Sequence, residues 1–245
     1  MHERYARHIA LEGFGESGQQ RVGDATVLVI GAGGLGSPVC LYLAGAGIGA
    51  IHLTDFDRVD VTNLQRQILF AMADVGQDKT DSARDRLAGL NPDVAVQLTT
   101  GRLSGEALLR AVSAATVVAD CSDNFATRFA VNAACVRTGT PLVSGAVIRY
   151  EGQLAVFRAD ITPGPCYRCL YQDSDDELED CRGNGVLGPA VGVIGSAMAV
   201  EILKLVSGCG PTLDGRLMLY DALSTEWRGL KLPRDPDCPV CATQP

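Results

Sequence analysis

The sequence predicts an α/β fold: a doubly wound sheet, parallel in its first half, with antiparallel strands added in its C-terminal half. Three observations carry this expectation. Thr26-Val-Leu-Val-Ile30 is an unbroken apolar run that stops at a glycine cluster, as a strand buried on both faces does. From there to about residue 150, apolar runs alternate with segments of helical periodicity, the spacing of βαβ units. After Glu151 that rhythm gives way to strand-like runs separated by one long apolar helix.

The elements follow in order. Residues 3–23 read as short, partly amphipathic helical material ahead of the core. A helix is expected from about Leu35 to Ala46, and a second strand from Ala50 to Thr54, ending at Asp55-Phe56-Asp57. Helical periodicity returns from Lys79 to Leu90 and stops at Asn91-Pro92, because a residue before proline is pushed out of the helical region. A strand at Thr116–Ala119, a helix from about Phe125 to Arg137 and a short strand at Pro141–Val143 continue the alternation. Then come a strand at Gln153–Phe157, a Pro/Gly/Cys stretch and an acidic segment, Asp173–Asp180. A helix from about Pro189 to Leu205 and two strand-like runs near Leu217–Tyr220 and Trp227–Leu232 complete the chain. No internal repeat or linker divides it.

Composition excludes several function classes. A hydrophobic content of 47% with 20% charged residues is that of a globular chain. The net charge of -8 opposes non-specific binding to nucleic acid or acidic membranes, although a pocket can still be locally positive. The first residues, Met-His-Glu-Arg-Tyr-Ala-Arg-His, lack the apolar core of a signal peptide. The longest apolar candidate for a membrane span, Val191 to Val206, is interrupted by Glu201 and Lys204. Nine cysteines without an export signal point to metal ligation or thiol chemistry in a cytoplasmic protein rather than to a disulfide scaffold.

Gly31-Ala32-Gly33-Gly34-Leu35-Gly36 matches G-x-G-x-x-G, lying after a strand and opening a helix. Its glycines permit a tight turn and close backbone approach, and free N–H groups at the helix start attract phosphate. Asp55, ending the next strand, can accept hydrogen bonds from ribose hydroxyls. Alone, this pattern most often signals NAD or FAD. Asp55-Phe56-Asp57, Asn63-Leu64-Gln65-Arg66-Gln67 and Gly76-Gln77-Asp78-Lys79 shift the reading, because they place an arginine and a lysine near the same sheet edge. Moving a phosphoryl group needs such cations, since charge builds on its oxygens; singly, each would read as a solvated surface charge. Asp120-Cys121-Ser122-Asp123-Asn124 follows another strand at that edge. A carboxylate there can hold magnesium, or Asp123 or Asn124 can cap the next helix.

Cys166-Tyr-Arg-Cys169 and Cys238-Pro-Val-Cys241 form two C-x-x-C knuckles able to fill a tetrahedral zinc site, with a redox pair as the rival reading. Four thiolates leave no open position, so such a zinc is structural, tying the C-terminal tail to the middle of the chain. Cys40, Cys135 and Cys209 read as buried small hydrophobes, and Cys121 has no evident base nearby. Cys181 falls in the polar stretch Glu179-Asp-Cys-Arg-Gly-Asn-Gly185, where acidic neighbours would raise its pKa rather than activate it.

Together with Arg4-Tyr-Ala-Arg7-His at the start, these motifs in this order resemble the ThiF/MoeB family, bacterial relatives of ubiquitin-activating enzymes. The resemblance covers nearly the whole chain. It implies a Rossmann-like adenylation domain over 1–245, with an N-terminal helical segment (1–25), a nucleotide-binding half (26–150) and a zinc-bearing, carrier-binding half (151–245). It also implies ATP-dependent adenylation of the C-terminal glycine carboxylate of a ubiquitin-like sulfur-carrier protein ending in Gly-Gly, of the ThiS or MoaD type. That step serves thiamine or molybdenum cofactor biosynthesis. By position, Gly31, Gly33, Gly34 and Gly36 form the phosphate loop and Asp55 the ribose ligand, with Asp57 beside it. Asp123 is the magnesium ligand, and Arg66 and Lys79 are the phosphate-binding cations, flanked by Asn63 and Gln65. Arg7 resembles an arginine that reaches the ATP site of a partner subunit, which implies a homodimer. Cys181 lies where some members carry a cysteine on a crossover loop used in sulfur transfer or a covalent link to the carrier. Cys166, Cys169, Cys238 and Cys241 hold the zinc. The chain stops soon after Cys241, without an appended rhodanese domain, so a separate sulfur donor, such as a cysteine desulfurase or rhodanese, is expected. Val143–Gly152 looks more like the molybdopterin branch, whereas Ser224-Thr-Glu-Trp-Arg228 and Cys238–Cys241 look more like the thiazole branch. Two other readings compete. One is an NAD-dependent Rossmann oxidoreductase, for which little length is left to build a catalytic domain. The other is a non-catalytic zinc-bearing interaction module, which the presence of Arg7, Arg66, Lys79 and Asp123 argues against.

Overall fold

A computed structural model describes residues 2–161, 164–171 and 185–242. Its centre is strand β1 (Thr26–Ile30), whose Val27 and Val29 face one hydrophobic core while Leu28 and Ile30 face a second. That double burial is why the run is apolar from Val27 to Ile30. β1 pairs in parallel with β2 (Ala50–Asp55) on one side and β4 (Val117–Asp120) on the other. β3 (Ala95–Thr100) extends the sheet beyond β2, and β5 (Leu142–Ile148) extends it beyond β4. Antiparallel strands β6 (Glu151–Phe157), β7 (Arg216–Asp221) and β8 (Glu226–Lys231) then complete an eight-stranded sheet of order β3-β2-β1-β4-β5-β6-β7-β8. The expected parallel-then-antiparallel division is therefore observed, with the change at the tight turn around Arg149.

Two helices, α1 (His2–Ile9) and α2 (Gly15–Asp24), precede β1. Helices α3 (Gly36–Ala46) and α4 (Lys79–Leu90) join the strands of the first half. α5 (Gly105–Ser113) and α6 (Phe125–Thr138) follow, and a short α7 (Tyr167–Leu170) carries the first cysteine knuckle. The long α8 (Gly188–Ser207) buries Ile194, Met198 and Ile202 in the first core. It can lie this close to the sheet because Gly145 and Gly152 offer no side chain: a Cβ at Gly145 would meet the Met198 sulfur at 2.5 Å. Among the described residues α8 alone has the length and hydropathy of a membrane span, and core packing accounts for that composition.

The sequence expectation lacked β3, α5 and the short α7. β3 is an edge strand with alternating, partly exposed residues, and α5 is a short helix on the second core, so neither presents the unbroken apolar run of β1. β5 also runs on to Ile148, past the expected end at Val143, because β6 pairs with it throughout. The acidic segment Asp173–Asp180 and Cys181 lie outside the described residues.

Candidate functional site

The C-terminal ends of β1, β2 and β4 fall at one edge of the sheet, with Ile30 level with both Thr54 and Asp120. The chain leaves β1 towards β2 and β3 and returns on its other side as β4, so this edge is a topological switch point, where open α/β sheets bind ligands. A cleft of about 850 Å³ opens there.

The glycine loop forms its floor. Gly31 has φ 97°, and its N–H donates to the Thr54 carbonyl at 2.8 Å. A Cβ at Gly36 would overlap the Gly31 carbonyl, so this glycine closes the turn from beneath and does not line the cleft, whereas Gly31, Gly33 and Gly34 do. Asp55 fixes the loop from the side. Its Oδ2 accepts the Ala32 N–H at 2.7 Å and its Oδ1 accepts the Asp57 N–H at 2.8 Å. The carboxylate thus holds two backbone turns, a duty that sequence reasoning did not foresee.

Asp57, Asn63, Gln65, Arg66, Lys79 and Asp123 also line the cleft. Lys79 is only 4% exposed, and its ammonium meets Asp57 Oδ2 at 2.9 Å. Arg66 passes over the glycine loop, its Cγ 3.5 Å from where a Gly34 Cβ would lie, and donates to the Thr62 carbonyl at 3.2 Å. Of the two cap candidates, Asn124 caps α6 by accepting the Thr127 N–H at 2.9 Å. Asp123 stays exposed at the cleft wall.

Arg128 was not anticipated. Its guanidinium is buried under the wall, donating to the Gly145 carbonyl at 3.1 Å and the Ser122 carbonyl at 2.5 Å. It thereby fastens the loop before Asp123 to β5. The available signal was a charge within the apolar face of α6, flanked by Phe125 and Val131. Arg102, stacked on Phe56 at 4.4 Å, is a second unforeseen cation in the lining. Burial pushes the Cys121 thiol well above its ordinary pKa, and Cys40 and Asp120 push the same way against the opposing pull of Arg128, which disfavours the thiolate.

Four cationic side chains (Arg66, Lys79, Arg102 and Arg128) face four anionic ones (Asp55, Asp57, Asp123 and Glu151) in the lining. Among the described residues the cleft lining is formally neutral. Arg7 is not among its residues; it is exposed on α1.

The four knuckle cysteines converge. Their sulfurs all lie within 4.8 Å of one another, with Cys166–Cys238 at 3.7 Å and Cys169–Cys241 at 3.5 Å. A tetrahedral zinc with Zn–S bonds of about 2.3 Å has sulfur edges of about 3.8 Å, so the donor set fits. Burial pushes the Cys166 thiol up, its Asn132 hydrogen bond pushes it down, and its three neighbouring thiols raise it again. Four thiolates this close repel one another, and a bound cation offsets that repulsion. Asn132 of α6 orients the knuckle, donating to Cys166 Sγ at 3.5 Å and accepting the Tyr167 N–H at 2.8 Å.

The ThiF family model matches residues 5–240. The chain belongs to the ThiF family. Among curated ThiF-family relatives, it is 48% identical over 238 residues to the sulfur carrier protein ThiS adenylyltransferase of Escherichia coli, covering 97% of this chain and 94% of that one. It is 45% identical over 238 residues to the molybdopterin-synthase adenylyltransferase of Salmonella typhimurium, covering 97% and 95%. A crystal structure of E. coli MccB with MccA-N7isoASN superposes with a TM-score of 0.86 at 23% identity, over 99% of this chain and 75% of that one, and supports the fold alone.

Proposed function

We propose that this protein adenylates the C-terminal carboxylate of a ubiquitin-like sulfur-carrier protein, with ATP as the donor. The observation that carries the reading is a cleft holding glycine loop, Asp55, Arg66, Lys79 and Asp123 together, in a chain similar over nearly its whole length to adenylyltransferases of sulfur carriers. The carrier's carboxylate oxygen bonds to the α-phosphorus of ATP, the bond to the bridging oxygen breaks, and pyrophosphate leaves with its electron pair. The product is an acyl-adenylate, open to a sulfur nucleophile from a separate donor. No protein base is required, because a carboxylate is already ionised at neutral pH.

The reaction brings an anion onto a polyanion, and the described lining, with its balanced charges, cannot neutralise both. Added positive charge has two sources in this reading. Magnesium, held by Asp123, supplies charge neutralisation at the phosphates. Arg7 supplies the rest from a second copy of the chain. α1 rests against the C-terminal ends of α3 and α4, while their N-terminal ends, Gly36 and Lys79, adjoin the glycine loop and the cleft. The 11 residues of α3 span about 16 Å, farther than an arginine side chain reaches, which supports a role for Arg7 in a neighbour's cleft rather than in its own. Gly31, Gly33 and Gly34 cradle the phosphates, Arg66 and Lys79 steady them, and Asp55 accepts from the ribose. Asp57, Asn63 and Gln65 complete the wall. Zinc in the cysteine cluster is structural and fastens the tail of the carrier-binding half.

The test incubates the protein with ATP, magnesium and one carrier of each type, ThiS-like and MoaD-like, followed by intact-mass spectrometry. An AMP-sized gain on a carrier, lost in Asp123→Ala, is expected and names the pathway. Binding of NAD in place of ATP would refute the reading.

A further inference from the structure

Tyr5 and Arg7 lie two residues apart on α1, about 200° around the helix, so they point to opposite sides. Tyr5 is buried at 7% exposure and Arg7 faces outward. The seat that receives Tyr5 is specific. Its ring occupies the space where any side chain on Gly47 would stand, and Gly47 takes φ 76° as the last residue bounding α3. Asn91, fully buried where α4 ends, donates from Nδ2 to the Tyr5 hydroxyl at 2.8 Å and to the Ala44 carbonyl at 2.8 Å. Arg4 adds a bond from Nη1 to the Leu90 carbonyl at 3.0 Å. An isolated helix of eight residues cannot hold its own direction; besides the packing of His8 on the Phe14 ring at 5.3 Å, this seat is what fixes the face on which Arg7 points.

We propose that the Tyr5–Asn91 contact aims Arg7 into the cleft of a second copy, which makes Tyr5 and Asn91 positioning residues for adenylation in trans. The inference rests on the proposed adenylation and on Arg7 acting across a homodimer. Neither residue touches the cleft of its own chain, yet loosening either one starves the neighbour's cleft of a cation. A displacement of about 1 Å in a positioned group can reduce rate by about 100-fold, so Tyr5→Ala should approach Arg7→Ala in its loss of turnover.

Mixed dimers test this with the full chain, by co-expression of differently tagged copies. Tyr5→Ala and Lys79→Ala homodimers should both fail to adenylate the carrier that the wild type adenylates. Their heterodimer should regain about half the wild-type rate, because the Tyr5→Ala chain keeps a sound cleft and receives a sound arm from the Lys79→Ala chain. A heterodimer of wild type with the Tyr5→Ala/Lys79→Ala double variant should be inactive, since its sound cleft faces the loosened arm. Tyr5→Phe, which keeps the ring in its seat and so preserves the fold, should lose turnover in the same direction and complement in the same way. The proposal is overturned if the first heterodimer stays inactive while the second is active, because Tyr5 then serves its own chain. Wild-type turnover in Tyr5→Phe overturns it too. A wild type that adenylates no carrier would instead sink the adenylation reading, and that control is read before any variant.

Discussion

Asp55 provides the sharpest separation between architecture and ligand binding. Its carboxylate accepts two backbone N–H groups, from Ala32 in the glycine loop and from Asp57 in the next turn, at 2.7 and 2.8 Å. Asp55→Asn keeps the shape but replaces one acceptor oxygen with an NH₂ group that must face an N–H donor. One charge-assisted hydrogen bond is lost, worth about 1.5–3 kcal/mol, and the half-buried site recovers part of this through water. A net cost of about 2 kcal/mol follows, which for a chain of this size corresponds to a fall of about 4–8 °C in Tm. Nucleotide affinity should fall as well, because the ribose acceptor is weakened and the loop is no longer held. The assay is thermal denaturation without nucleotide, followed by calorimetric titration of ATP with magnesium. A variant with unchanged Tm and weakened ATP binding would show that the carboxylate serves the ligand alone, and the argument that it clamps the glycine loop would fail.

Three further outcomes are expected. Lys79→Met removes a buried ammonium but leaves Asp57, whose side chain is 54% exposed and can be hydrated, so Tm should move little while carrier adenylation falls by about 100-fold or more. A large Tm loss would reassign Lys79 to structure. Arg128→Lys cannot reach both the Gly145 and Ser122 carbonyls, so stability should drop by about 1–3 kcal/mol. The magnesium concentration for half-maximal adenylation should rise as the loop before Asp123 loosens, and an unchanged magnesium requirement would count against that loop's role. Purified protein should carry one equivalent of zinc by elemental analysis, and Cys238→Ser should lose it together with Tm, since Cys238 is buried in the cluster. Retention of metal by that variant would contradict the four-thiolate site.

Much of this was legible in the sequence for physical reasons. β1 announced itself because both of its faces are buried, and the end of α4 because Pro92 prevents its continuation. The two cysteine knuckles were legible because tetrahedral metal ligation demands that spacing. The rest depended on tertiary placement. β3 alternates weakly because it is an edge, and Arg128 resembles any helical arginine until its two carbonyl partners are known. Asn91 read as a helix terminator, which it is, but the sequence had no means of showing that its amide also reaches Tyr5, 86 residues earlier. Gly36 followed the motif yet lies beneath the loop, since the pattern encodes the turn as well as the ligand contact.

The charge balance of the cleft ties these observations into one account. An acidic chain with a net charge of -8 could bind a polyanion through a strongly basic pocket, but among the described residues this lining sets four cations against four anions. Lys79, the most buried of the catalytic candidates among the described residues, is already paired with Asp57. Pairing of that buried ammonium with Asp57 lowers the cost of burying it, and a balanced lining gives free phosphate compounds little electrostatic reward. On the proposed reading, productive binding requires positive charge brought from outside: a divalent cation at Asp123 and Arg7 from a second copy. The site is then complete only when metal and a correctly held neighbour are both present, which is why the seat of α1, on the far side of its own subunit, belongs to the chemistry of the other one.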